Sequence, residues 1–171
     1  MNVRRRDFLA TTASLAATSR AFCDAPKPQT PPTAAALQEA ADAPLLKLES
    51  LDDPIIIESM ELLRQGSEFL VRVRSKDGLE AVSAANSKKM RETFPIFLNR
   101  VAPFFVGKDA RRIESLLDDL YRTDSNYKLQ GLAFWVCGAA AEIAILDLLG
   151  KASGKSIADL FGGRLRRDIP V

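Results

Sequence analysis

From Ile55 onward the spacing of apolar residues changes period, and the change divides the chain into strands followed by helices. Ile55-Ile56-Ile57 opens a β-like run toward Leu63, and Arg64-Gln65-Gly66-Ser67 then supplies turn residues. Across Phe69–Arg74, Val71 and Val73 alternate with Arg72 and Arg74, which predicts a strand with one wet face. Asp77-Gly78 sits between two strand-like runs, a strong hairpin signal because glycine tolerates positive φ. Leu79–Ser83 forms a third, weaker strand. The three runs predict an antiparallel meander.

After Ala85 the period becomes helical. Met90, Phe94, Phe97, Leu98 and Val101 recur at spacings of three and four within Lys88–Val101, with Pro95 expected to kink or shift the helix. Asp109 is placed to cap Arg111–Tyr121, whose Ile113, Leu116, Leu117 and Leu120 share a face. Leu132–Gly150 reads as the strongest helix, with Trp135, Ala139, Ile143, Leu146 and Gly150 on one stripe. Ser156-Ile157-Ala158-Asp159 resembles a capping box, and Gly162-Gly163 stops the short helix it begins. Phe104, Phe105 and Trp135 are read as core. The fold class is therefore α+β, a three-stranded meander followed by a helical bundle. Asp168-Ile169-Pro170-Val171 reads as a new strand beginning where the sequence stops, which suggests truncation.

The first 44 residues follow a different pattern. Arg4-Arg5-Arg6-Asp7-Phe8-Leu9 precedes a mild apolar stretch, Ala10–Ala17, that Arg20 closes. Paired arginines, a spacer and a short apolar run resemble a twin-arginine export signal, too short and weak to span a bilayer. Residues 1–25 are assigned to this signal, with cleavage near Ala25 and a periplasmic destination. Phe22 is too bulky for a lipid-attachment site at Cys23. Residues 26–44, rich in Pro, Ala and Thr, read as a flexible spacer. The folded domain is expected over 45–165.

Charge and composition remove several function classes. Residues 1–25 carry four Arg and two Asp, and the rest of the chain balances 20 basic against 20 acidic residues. A neutral body lacks the basic footprint that nucleic-acid binding requires. The sequence contains no histidine, which excludes His-containing zinc sites and Ser–His or Cys–His nucleophile pairs. Of its two cysteines, Cys23 falls in the leader, and Cys137 reads as a small buried hydrophobe. Glu142 and Asp147 lie five apart on the Ala-rich helix, a spacing that separates them in angle, so both are read as structural hydrogen-bonding groups.

The string from Gly138 to Val171 resembles the junction between domains in the mandelate racemase and muconate lactonizing enzyme family of the enolase superfamily. The matching residues are Leu146-Asp147-Leu148, Gly150-Lys151, Gly154, Leu160, Gly162-Gly163 and Ile169-Pro170-Val171. Pro103, Gly107 and Asp109 match the loop before the second cap helix, and Asp77-Gly78 matches the hairpin, so the resemblance covers roughly 55–171. One departure is local: the family usually places a further glycine and often an acidic residue after the third strand, where this chain reads Glu80–Ala84.

The resemblance implies an N-terminal cap domain closing over a β/α barrel, with residues 166–171 beginning the first barrel strand. It implies Mg²⁺-dependent proton abstraction next to a carboxylate, with the metal ligands and basic lysines in the barrel. Accordingly no catalytic or metal-binding residue is assigned here, and Mg²⁺ is expected only in a full-length protein. The implied partners are the barrel domain and a small carboxylate substrate, without nucleic acid, and a homo-oligomer is compatible with the resemblance. By position, two cap loops reach toward substrate. Their candidates are Arg64, Gln65 and Ser67 in the first and Asn86 and Lys88 in the second, the two cations as charge-assisted donors or as ordinary solvated charges. The alternative is a freestanding periplasmic binding or interaction module on the same fold. A large apolar patch left open on the domain would favour the larger-enzyme reading.

Overall fold

The structure, a computed structural model, describes residues 31–124, 130–166 and 168. The chain divides into two compact units, Met1–Ala43 and Pro44–Val171. The first contains a helix where composition predicted an irregular spacer: α1 (Ala34–Asp42), capped by the Thr33 hydroxyl and burying no side chain. Its alanines are strong helix formers, and Gln38 Nε2 donates to Asp42 Oδ1 at 3.0 Å one turn on, so local propensity suffices without packing. The expected export signal, residues 1–25, lies outside the described residues.

The second unit is built on the predicted meander. Strands β1 (Ile57–Gln65), β2 (Glu68–Ser75) and β3 (Glu80–Ala84) form an antiparallel sheet in the order β1-β2-β3. Register places Val73 opposite Met60 and Ala81, and Val71 opposite Leu62 and Ser83. Val71, Val73 and Ala81 are fully buried on the inner face. The other face carries the ion pairs Arg72–Glu61 at 2.6 Å and Arg74–Glu80 at 2.7 Å, cross-strand pairs that make it wet. The Asp77-Gly78 turn works as expected, with Gly78 at φ 86°.

Helix α2 (Ser87–Ile96) runs through Pro95 into a widened π turn, Phe97–Val101, and then into α3 (Ala102–Phe105). Pro95 has no N–H to donate, and the wider turn beside it is a common way to absorb that loss. Only part of the predicted apolar stripe is core. Met90, Phe97 and Val101 are fully buried, whereas Phe94 and Leu98 are exposed. Phe97 follows Met90 by seven residues and stays near its azimuth, while Phe94 and Leu98 drift off the narrow buried face.

Asp109 caps the 3₁₀ turn Ala110–Arg112 that leads into α4 (Ile113–Arg122). The same carboxylate accepts from the Ile55 amide at 3.1 Å and pairs with Arg111 at 2.8 Å. Arg111 in turn donates to the carbonyls of Leu51 and Asp52, at 3.0 and 2.7 Å. One acid therefore joins the entry of β1 to the start of α4.

Helix α5 (Leu132–Ser153) is the central element, packed against β3 and α2. Its length and composition would suit a membrane span, yet over half of its apolar window is buried in the domain, as for the core helix of a globular protein. Phe134, Cys137, Ala141, Ala144, Ile145, Leu148 and Leu149 are fully buried, and the alanines allow close approach of the sheet. Helix α6 (Ile157–Leu160) begins with a complete Ser156–Asp159 capping box. Gly150 is required by its surroundings, because a Cβ there would lie 2.8 Å from the Lys155 carbonyl oxygen. The expected strand at 169–171 lies outside the described residues.

Candidate functional site

The β1–β2 turn and the β3–α2 loop meet at one end of the sheet, and this places all five candidate residues on a single rim. Gln65 pairs with Glu68 to close the first hairpin, and the Ala85 amide donates to the Phe69 carbonyl at 3.0 Å. The link between the two loops is Glu68. Its carboxylate accepts from the Ser67 hydroxyl at 3.2 Å and from the Ser87 hydroxyl at 2.7 Å. The Ser87 oxygen also accepts from the Phe69 amide at 2.9 Å. Sequence reasoning misses Glu68 and Ser87, because a hydrogen bond between residues 19 positions apart leaves no local signature.

The five candidates differ in what they are free to do. Arg64 is folded onto its own turn, its Nε donating to the Gly66 carbonyl at 2.9 Å with the guanidinium 5.7 Å from the Phe69 ring centroid. Ser67 is engaged by Glu68. Asn86 is the N-cap of α2, its side-chain oxygen accepting from the Lys89 amide at 3.2 Å. Gln65 and Lys88 are exposed. A rim with an exposed ammonium, an exposed amide and a guanidinium held over a ring can donate hydrogen bonds to an anion. Among the described residues no group of three His, Cys, Asp or Glu side chains could hold a metal ion.

Other residues singled out by sequence lie away from this rim. Asp147 pairs with Lys151 at 2.8 Å, and Lys151 also donates to the Glu80 carbonyl at 3.2 Å, a structural role as expected. Glu142 departs from expectation, since among the described residues it has no hydrogen-bond or ion-pair partner. Burial pushes its carboxyl pKa up. Cys137 is buried, its thiol also raised by burial, and its sulfur donates to the Thr93 carbonyl at 3.4 Å. Phe105 is core and Phe104 packs edge-on against it.

Trp135 corrects the core reading, and with it the N-terminal part of the predicted stripe of α5. It is 44% exposed, Ile143 is 47% exposed and Leu132 is 68% exposed, while Ala139 is also on the outside. These residues share one side of α5 and line a groove of about 290 Å³ with Ala84, Ala85 and Asn86. The period is helical as expected, and Leu146 and Gly150 of the predicted stripe are buried, but its Trp135, Ala139 and Ile143 lie outside: α5 is apolar nearly all round, so periodicity does not tell which stripe meets the sheet. Trp135 stacks on Tyr121 with centroids 5.6 Å apart.

The sheet order, the helix sequence and the loop rim define an α+β domain of enolase-superfamily type. The sequence profile described as the mandelate racemase / muconate lactonizing enzyme N-terminal domain matches residues 47–162, and the chain belongs to that family. Over 121 residues it is 36% identical to a chloromuconate cycloisomerase of Cupriavidus pinatubonensis, covering 66% of this chain and 30% of that protein. Over 120 residues it is 29% identical to a D-mannonate dehydratase of Xanthomonas oryzae pv. oryzicola, covering 68% of this chain and 28% of that one. Among solved structures it resembles a muconate cycloisomerase of Azorhizobium caulinodans, with TM-score 0.57 and 26% identity over 70% of this chain and 34% of the other. A mandelate racemase/muconate lactonizing protein of Paracoccus denitrificans, solved with magnesium, is matched with TM-score 0.56 and 26% identity over 66% of this chain and 31% of the other. The chain thus spans about a third of the length of these relatives.

Proposed function

We propose that this domain is the cap of a two-domain enzyme that abstracts a proton next to a carboxylate. The observation that carries the reading is the uncovered apolar side of α5, Leu132, Trp135, Ala139 and Ile143, on a domain whose relatives are about three times as long. Open apolar surface of this kind ordinarily marks an interface. The rim formed by Arg64, Gln65, Ser67, Asn86 and Lys88 adjoins that side through Ala85 and Asn86, which suits a lid whose edge faces the reacting centre. In this role Lys88 and Arg64 donate to a substrate carboxylate, Gln65 and Asn86 select its polar groups, and the two latched loops exclude water. A divalent cation would stabilise the developing enolate charge, with its ligands and the proton-abstracting bases contributed by the barrel domain.

The leader, residues 1–25, supports export of the folded protein by the twin-arginine route to the periplasm. The test is the intact mass of the native protein recovered from a periplasmic fraction. A mass more than twice the 18.7 kDa of this chain is expected. A mass near or slightly below that value would sink the capping role and leave the freestanding binding module.

A further inference from the structure

A second groove, of about 280 Å³, lies between α4 and α5, with Ile113 and Leu117 on one side, Glu142 and Leu146 on the other, and Leu45 and Phe161 beside them. Glu142 is half-buried there without a hydrogen-bond or ion-pair partner among the described residues, and burial alone raises its pKa. The other half-buried acids of the described residues are all matched by a cation: Glu61 by Arg72, Asp109 by Arg111 and Asp147 by Lys151, at 2.6 to 2.8 Å. Glu114, also in this groove, is committed to the amides of Leu45 and Leu46, at 3.3 and 2.8 Å. Glu142 is therefore a carboxylate that has lost part of its water and gained no compensating positive charge from the described residues, an arrangement that costs stability unless something else supplies it.

We propose that this groove receives an arginine side chain presented by a polypeptide, its stem lying against Leu117, Leu146 and Phe161 and its guanidinium on Glu142. Charge complementarity calls for a cation, and the apolar walls call for an aliphatic stem. Arginine fits better than lysine because its planar, weakly hydrated fork can bind a carboxylate in a partly dry site. A polypeptide fits better than a free small cation because Leu45 and Phe161, 61% and 44% exposed, leave apolar surface beyond what one side chain covers. The occupant is a segment of a separate polypeptide, which short peptides can imitate, so the inference does not depend on the capping role.

The test uses the 171-residue chain with three probes: the peptide acetyl-Leu-Arg-Leu-amide, its citrulline counterpart, and n-butylguanidinium. The arginine peptide is expected to shift the NMR signals of Leu117, Leu146 and Phe161 and to lower the titration midpoint of Glu142. It should bind about tenfold more tightly than the citrulline peptide, the difference expected for one charge-assisted contact. The substitution Glu142→Gln should bring the two peptides together. Equal binding of both peptides to the unaltered protein, or no binding of either, overturns the proposal. Binding of n-butylguanidinium as tight as that of the arginine peptide overturns the polypeptide as its source. The comparison on unaltered protein decides even where Glu142→Gln impairs folding.

Discussion

The Glu68 carboxylate accepts a 2.7 Å hydrogen bond from the hydroxyl of Ser87, and this contact makes two loops one rim. The Ser87 oxygen simultaneously holds the Phe69 amide, so removing the hydroxyl unties the loop and leaves a partly buried donor unsatisfied. Ser87→Ala is expected to cost about 1 kcal/mol in denaturant unfolding. Amide exchange should accelerate at residues 64–68 and 85–89 while α5 keeps its protection. Uniform acceleration across the domain would show that the contact does not latch the loops.

Asp109 ties the entry of β1 to the start of α4. Burial by itself would raise its pKa, but hydrogen bonds from the Arg111 side chain and from the Arg111 and Ile55 amides outweigh that effect and hold it below its ordinary 3.8. A depressed folded-state pKa gives stability that is present above the unfolded value and lost as pH falls through the folded one. Asp109→Ala should therefore destabilise the domain by about 2 kcal/mol at neutral pH, the loss of a cap together with a partly buried pair. Asp109→Asn should flatten the acid limb of the stability curve. An unchanged acid limb in that variant would refute the assignment.

Glu142 has the opposite sign. Its raised folded-state pKa means that its favourable contribution is present below the unfolded value, ordinarily 4.5, and lost as pH rises through the folded value. Glu142→Gln should then raise the thermal midpoint at pH 7 by roughly 1–3 °C and leave it unchanged near pH 4, a modest gain because the group is partly solvated. A lower midpoint at pH 7 would reveal a stabilising partner for the carboxylate.

Gly150→Ala tests the close approach at the end of α5. The new methyl would stand 2.8 Å from the Lys155 carbonyl, backbone that is itself tied by the 2.9 Å bond from the Lys155 amide to the Gly150 carbonyl. The expected loss is about 1–3 kcal/mol by chemical denaturation, despite the better helix propensity of alanine. A gain would mean that the α5–α6 connection yields freely.

Ile143→Lys probes the open side of α5. Because Ile143 is 47% exposed, the change should alter unfolding free energy by less than about 1 kcal/mol. Binding of a hydrophobic dye and self-association should fall together. A loss of several kcal/mol would place Ile143 in the core.

The strands were legible because their information is local. Val71 and Val73 alternate with Arg72 and Arg74, and the Asp77-Gly78 turn admits one register, so pattern and turn agree before any packing is known. Asp109 and the Ser156–Asp159 box were legible for the same reason, since a cap is satisfied within three residues of itself. The rim was half legible: the positions of Arg64, Gln65, Ser67, Asn86 and Lys88 follow from the meander, but their union depends on Glu68 and Ser87 meeting across two strands. What only the tertiary structure decided is orientation around α5. A helix of nearly uniform hydrophobicity carries no phase in its sequence, so the choice to bury Phe134, Ala141 and Ile145 and to leave Trp135, Ala139 and Ile143 outside falls to the shape of the sheet against which it packs.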